Sequence, residues 1–352
     1  MKQHLAFITK IKAMSARFVT RAEFEDLSRV HSVDELGRRI RELEGYSGVF
    51  GALSAEGAGL HRNPLERTLT SALFDDMERM TAFATDFVTR AFIYAYFISN
   101  EIKTLKLLMG LINDKGHYGD FGYSAEEIKR QLNPKEFANI DKLLASKDLG
   151  GFISALEGTR YYKPLAGVYR PGVAMFDLEV QLDLFYYMNL WTQRKKLPRG
   201  ERRAVTHIIG TQIDMRNIMW IYRFKRYYKI SPERIYASLI PVNYRLRAGD
   251  ISQLAARQIV ESQDALSQLL IPPYNSVFKE STTLEYDYYK KMLSVCRTAG
   301  RAGSAVVSAI SYLFLKELEI NNLTSLIECV RYGLGPKEIL SGLYLPEEGE
   351  VT

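Results

Sequence analysis

Cysteine is scarce in this chain of 352 residues: there are two, Cys296 and Cys329, and neither has a second Cys or a His at metal-ligand spacing. A disulfide framework is excluded, a single bridge between the two stays open, and the expectation is small apolar roles in a reducing compartment. Proline is low, at 11, so long helices are allowed. Long apolar runs are lacking as well. The longest, residues 91–98 and 302–315, fall short of the roughly 20 residues that a membrane span needs. No secretory signal follows Met1-Lys2-Gln3-His4-Leu5. If the protein works at a membrane, it is expected to work on the surface or through a partner.

Signs of chemistry are equally thin. There is no Gly-x-x-x-x-Gly-Lys loop, no Gly-x-Gly-x-x-Gly and no His-Glu-x-x-His. The five histidines, His4, His31, His61, His117 and His207, lie far apart in the chain. Neighbouring acids such as Asp75-Asp76 read as helix-surface residues. No cofactor and no metal is expected.

What is present describes a globular protein: 47% hydrophobic and 25% charged residues. The net charge is +6. It fits either a well-solvated surface or a partner with an acidic face or an anionic membrane surface. Nucleic acid is not expected, because the basic residues are scattered and no recognition motif accompanies them.

A weak repeat of long period organises the chain. One element reads polar, Ile/Leu, two variable residues, Ile/Leu: Glu101-Ile102-Lys103-Thr104-Leu105, Asn217-Ile218-Met219-Trp220-Ile221 and Asn322-Leu323-Thr324-Ser325-Leu326. A second element follows each copy and starts a short helix: Tyr123-Ser124-Ala125-Glu126-Glu127-Ile128, Ile230-Ser231-Pro232-Glu233-Arg234-Ile235 and Leu334-Gly335-Pro336-Lys337-Glu338-Ile339. Ser124 and Ser231 can cap free N–H groups, Ser124 with Glu127 makes a capping box, and Pro232 and Pro336 sit at the first helical position. Each short helix then meets a proline, Pro134, Pro241 or Pro346. A third element runs from a Ser/Asp turn (Ser32, Ser146, Ser262) through an amphipathic stretch to a tyrosine: Tyr46, Tyr161 and Tyr274.

The stretches between these elements, 64–112, 175–228 and 283–332, are dense in apolar and aromatic residues. Pro198-Arg199-Gly200 and Gly300-Arg301-Ala302-Gly303 break the second and third into two helices each. The first shows no such break, so one long or bent helix is expected there. Period-two alternation and Asn-Gly or Asp-Gly hairpins are absent from the sequence. The reading is all-α, in three similar helical modules over residues 1–135, 136–242 and 243–352.

These copies resemble the C subunit of bacterial and archaeal V-type (A/V-type) ATP synthases, equivalent to the d subunit of vacuolar ATPases. The resemblance covers essentially the whole chain by pattern and spacing. It includes the opening Phe7-Ile8-Thr9-Lys10-Ile11-Lys12-Ala13-Met14-Ser15-Ala16-Arg17 and the stretch from Asn217 to Leu239-Ile240-Pro241. Two departures stand out: Glu101 where the other copies carry Asn, and an apparent insertion at 113–122. The resemblance implies three modules about a pseudo-threefold axis, forming a funnel. The funnel would sit on the membrane rotor ring of proteolipid subunits, on its cytoplasmic side, and accept the shaft built by subunits D and F. It implies torque transmission coupling ATP to ion transport, with no active site of its own.

Two polar sets are candidates for the shaft or ring interface. Glu101, Asn217 and Asn322 open equivalent helical turns; they either bond backbone at a module junction or point at the funnel. Arg216, Arg223, Lys225, Arg226 and Lys229 form a basic run; it is either a solvated face or a patch toward an acidic partner surface. A helical-repeat scaffold and an all-helical enzyme with an unfamiliar site are the competing classes.

Overall fold

The chain is all-α. In the computed structural model, residues 2–49, 62–84, 86–121, 123–228, 230–256, 266, 270, 272–278, 283–301 and 303–345 are described, and no strand occurs among them. Of the positions named from the sequence, Met1, His61, Gly122, Lys229, Ser262, Ala302 and Pro346 lie outside the described residues.

The helices start where side chains can satisfy their first N–H groups. After α1 (Lys2–Ser15) comes α2 (Arg21–Leu27), opened by a capping box. The Thr20 hydroxyl accepts from the Glu23 N–H at 3.2 Å, and the Glu23 carboxylate accepts from the Thr20 N–H at 2.7 Å. Ser32 caps α3 (Val33–Glu42). Then follow α4 (Arg62–Phe83) and α5 (Phe87–Asn113). The single long helix expected across 64–112 is therefore two. Asp86 makes the break without glycine or proline, by accepting the Thr89 N–H at 2.7 Å as an N-cap. The stretch after α5 holds a single 3₁₀ turn at Tyr118–Phe121.

The short helices α6 (Ala125–Gln131), α7 (Ile140–Leu144), α8 (Leu149–Ala155) and α9 (Tyr162–Ala166) lead to α10 (Met175–Gln193). Ser124 and Glu127 form the expected capping box on α6, with bonds of 3.1 and 2.8 Å. Asp148 caps α8. The long α11 (Arg199–Arg223) widens at its end into a π turn over Phe224–Tyr228. Ser231 caps and Pro232 opens α12 (Pro232–Ser238), followed by α13 (Ala248–Ala256). The last three are α14 (Leu284–Gly300), α15 (Ala305–Arg331) and α16 (Pro336–Gly342), the last opened by Pro336. Gly303 sits at φ 62°, a conformation that side chains resist, in the tight turn between α14 and α15.

Two compact units result, each assembled from separate stretches. The first takes Met1–Ile93, Leu197–Ile208 and Ser276–Thr352; the second takes Tyr94–Lys196 and Ile209–Asn275. In the first unit α15 is the central element, with α1, α3, α4, α14 and α16 packed on it. Apolar residues lie around most of its circumference, with Ser308, Glu317, Asn321 and Thr324 among its less buried polar positions. Val306, Ile310, Leu313, Leu323, Leu326 and Ile327 are all buried, each removal from water stabilising by about 1.5–3 kcal/mol. In the second unit α9 packs on α10, α7 and α9 on α8, and α12 on α13. There Gly210 of α11 lies flat against the Tyr244 ring, where a Cβ would come within 2.3 Å. Both cysteines are free thiols, Cys296 buried and Cys329 half-buried, and burial pushes the Cys296 thiol up to about 12.

Candidate functional site

One polar construction recurs three times. A long helix carries a polar side chain that grips the extended backbone following the next short helix. In α11, Asn217 does this with both ends of its amide: Oδ1 accepts the Ile240 N–H at 2.9 Å and Nδ2 donates to the Ile240 carbonyl at 3.0 Å. In α15, Asn322 makes the same pair with Tyr344, at 2.9 and 3.3 Å. In α5, Glu101 can only accept, and its Oε1 takes the Asn133 N–H at 3.3 Å. Asparagine reproduces a backbone ladder in miniature, which explains its choice at two of the three positions.

A buried tyrosine meets a carboxylate beside each grip. Tyr46, Tyr161 and Tyr274 are fully buried. Tyr46 donates its hydroxyl to Glu319 at 2.7 Å, Tyr274 donates to Asp214 at 2.7 Å, and Tyr161 donates to Glu101. Asp214 and Glu319 each stand three residues before the gripping asparagine, one helical turn away on the same face. In the first copy that place is held by the buried Ile98. Glu101 therefore does both jobs: one oxygen grips backbone and the other accepts from the tyrosine. The substitution of Glu for Asn is a merger of two groups into one.

The surroundings of the acids differ. At Asp214, Oδ2 accepts from Tyr274 and from the Arg245 and Leu246 N–H groups at 2.9 and 3.2 Å. Its Oδ1 has no hydrogen-bond partner among the described residues. Burial raises the Asp214 carboxyl above its ordinary range, outweighing the bonds from Tyr274 and the backbone. Burial raises Glu101 in the same way. Beside it, Arg160 bonds Glu136 at 2.7 Å. Burial by itself would raise Glu136, but the Arg160 bonds outweigh it and hold that carboxyl low. At Glu319 a cation is built in: Lys316 Nζ lies 2.7 Å from Oε1.

Of the candidate interface residues, Glu101, Asn217 and Asn322 are all buried and bonded to backbone as described. Arg216 is half-buried, and its Nε donates to the Tyr187 hydroxyl at 3.2 Å. Arg223 is half-buried, and Lys225 is buried in the π turn, where burial lowers its ammonium below the ordinary range. Arg226 alone of this set is exposed, beside the exposed Tyr227 and Tyr228. The end of α15 is similar: Arg331 Nη2 donates to the exposed Tyr332 hydroxyl at 2.8 Å. Sequence reading found the recurring tyrosines and, of their acids, Glu101 but not its role as acceptor; Asp214 and Glu319 were missed. The available signal was spacing, an acid three residues before the gripping asparagine in two copies.

Among the described residues no helix is long and apolar enough to cross a membrane, and no group of His, Cys, Asp and Glu could hold a metal ion. Residues 7–342 match the family described as ATP synthase (C/AC39) subunit. The A-type ATP synthase C subunit of Methanosarcina mazei is 24% identical over 349 residues, covering 96% of this chain and 92% of the relative. That of Archaeoglobus fulgidus is 25% identical over 347 residues, covering 94% and 93%. That of Thermococcus onnurineus is 20% identical, covering 94% and 87%. With the all-α fold and a family match over nearly its whole length, this chain belongs to the ATP synthase (C/AC39) subunit family, the C subunits of A/V-type ATP synthases.

Proposed function

We propose that this ATP synthase subunit is the non-catalytic socket of the central stalk. In this reading it sits at the cytoplasmic side of the membrane rotor ring, receives the shaft of subunits D and F, and passes torque between ATP turnover and ion transport. The observation that carries the reading is the threefold recurrence of one buried junction, at Glu101, at Asp214 with Asn217, and at Glu319 with Asn322. A torque-bearing part must resist deformation. Buried, mutually bonded polar groups fix helix ends in one geometry more strictly than apolar packing alone. Three recurrences fit three similar modules, 1–135, 136–242 and 243–352, about a pseudo-threefold axis with a funnel between them.

The proposal divides the interface candidates. Glu101, Asn217 and Asn322 shape the turns from within. Arg226 with Tyr227 and Tyr228, and Arg331 with Tyr332, are exposed cation–aromatic turns of the composition that reversible interfaces favour. Arg216, Arg223 and Lys225 support the first of these turns from behind. The test is a motor assembled without this chain. The expected result is an ATPase sector that hydrolyses ATP uncoupled from ion transport; normal assembly and pumping refute the reading. In the full chain, Arg226→Glu with Tyr227→Ser is expected to weaken capture of the shaft or ring at least tenfold, with helix content unchanged by circular dichroism.

A further inference from the structure

The three tyrosine–carboxylate junctions are alike in form and unlike in how the polypeptide connects their halves. Glu101 and Tyr161 are 60 residues apart, as are Asp214 and Tyr274. Glu319 and Tyr46 are 273 residues apart. The third junction thus joins an early segment of the chain to a late one.

The added groups sit at this third junction. Lys316 and Glu319 form an ion pair with side chains only 3% and 5% exposed. The Lys316 ammonium lies 4.0 Å from the centre of the Tyr46 ring and 5.9 Å from that of Phe18. The Val19 N–H donates to Glu319 Oε2 at 2.5 Å, so both carboxylate oxygens are used. Phe18 stacks on Tyr312 at 5.1 Å, and the Tyr312 hydroxyl donates to Asp76 of α4 at 2.6 Å. Gly45 lies so close to the Arg17 carbonyl that a Cβ would stand 2.6 Å from it. The two flanks of the segment carrying α2 and α3, residues 17–19 and 45–46, thus converge on one point of α15.

We infer that the Tyr46–Glu319–Lys316 cluster is a non-covalent clasp that holds the segment carrying α2 and α3 on α15, and that it is where the first unit opens. When it breaks, the segment carrying α2 and α3 leaves α15 as one piece, while α4 and α14 stay packed on α15. The inference concerns the chain by itself and stands independently of the stalk reading.

Amide hydrogen exchange on the full chain tests it. In Lys316→Met, the amides of α2 and α3 are expected to exchange at least 100-fold faster, with those of α8 to α10 unchanged; Lys316→Arg restores most of the protection. Tyr46→Phe is a milder variant for the case that Lys316→Met does not fold, with at least a tenfold local effect expected. It should exceed the effect of Tyr274→Phe around its own junction. Unchanged exchange in α2 and α3, or equal acceleration of both units, overturns the inference.

Discussion

The junction in the first unit and the Asp214 junction in the second bury the same two groups, a tyrosine hydroxyl and a carboxylate, and offset the burial of the acid by different means. Around Glu319 the means is a buried lysine. Around Asp214 it is hydrogen bonds gathered on one oxygen, with the other left bare. The first arrangement fixes a charge pair whose halves depend on each other. The second leaves an acid that can shed its charge by taking up a proton. The lesson is that one packing motif can hold its acid in an ion pair or by hydrogen bonds alone, according to a single neighbour one helical turn away.

The comparison breaks most visibly if one half of the pair is removed. Glu319→Gln keeps the shape and leaves Lys316 buried without its anion. A loss of about 3–5 kcal/mol is expected, read from urea unfolding followed by helical circular dichroism. A loss under about 1 kcal/mol would mean that Lys316 finds its compensation elsewhere, and the distinction between the two junctions would collapse. A smaller effect is expected where only neutral groups are orphaned. Asn217→Ala strands the N–H of Ile240, whose carbonyl keeps the Val242 N–H at 2.8 Å, at a cost of about 1–3 kcal/mol. The same substitution at Asn322 removes both bonds to Tyr344 and should cost a similar amount. A large disparity between the two would show that the grips are not equivalent.

Much of this was legible in the sequence, for local reasons. Ser124, Ser231, Pro232 and Pro336 start helices through groups a few residues away, so their spacing alone reveals them. The repeat of Tyr46, Tyr161 and Tyr274 was visible for the same reason. Of their partners only Glu101 stood out, as the odd member of its repeat; the pairings were hidden, because the bonds span 60 or 273 residues and nothing local marks an acceptor. The break between Phe83 and Phe87 was missed because Asp86 makes it in place of a glycine or proline. The isolated acids and amides of the long helices gave no directional signal. A helix like α15 scatters polar residues such as Lys316, Glu317, Asn321 and Glu328 among its apolar ones, so a buried Glu319 or Asn322 does not stand out.

The smallest expected effect on stability at neutral pH is also the most informative about charge. In Asp214→Asn, the amide oxygen can keep the bonds from Tyr274, Arg245 and Leu246, and the NH₂ takes the place of the bare Oδ1. The NH₂ goes without an acceptor there, but the burial cost of the carboxylate is removed, and the two offset, so stability should change by no more than about 1 kcal/mol at pH 7. Its pH dependence should change more. The folded chain raises the Asp214 carboxyl through burial, with Tyr274, Tyr244 and Arg245 as the titratable and charged neighbours. Folding therefore takes up a proton: stability is highest below the unfolded carboxylate value, about 4, and declines as pH rises from there through the raised folded value. Removing the acid should flatten that decline in unfolding curves taken from pH 4 to 8. Glu101→Gln should flatten the remainder, since burial raises that carboxyl too. A slope that survives both substitutions would place the proton uptake outside the second unit's junctions.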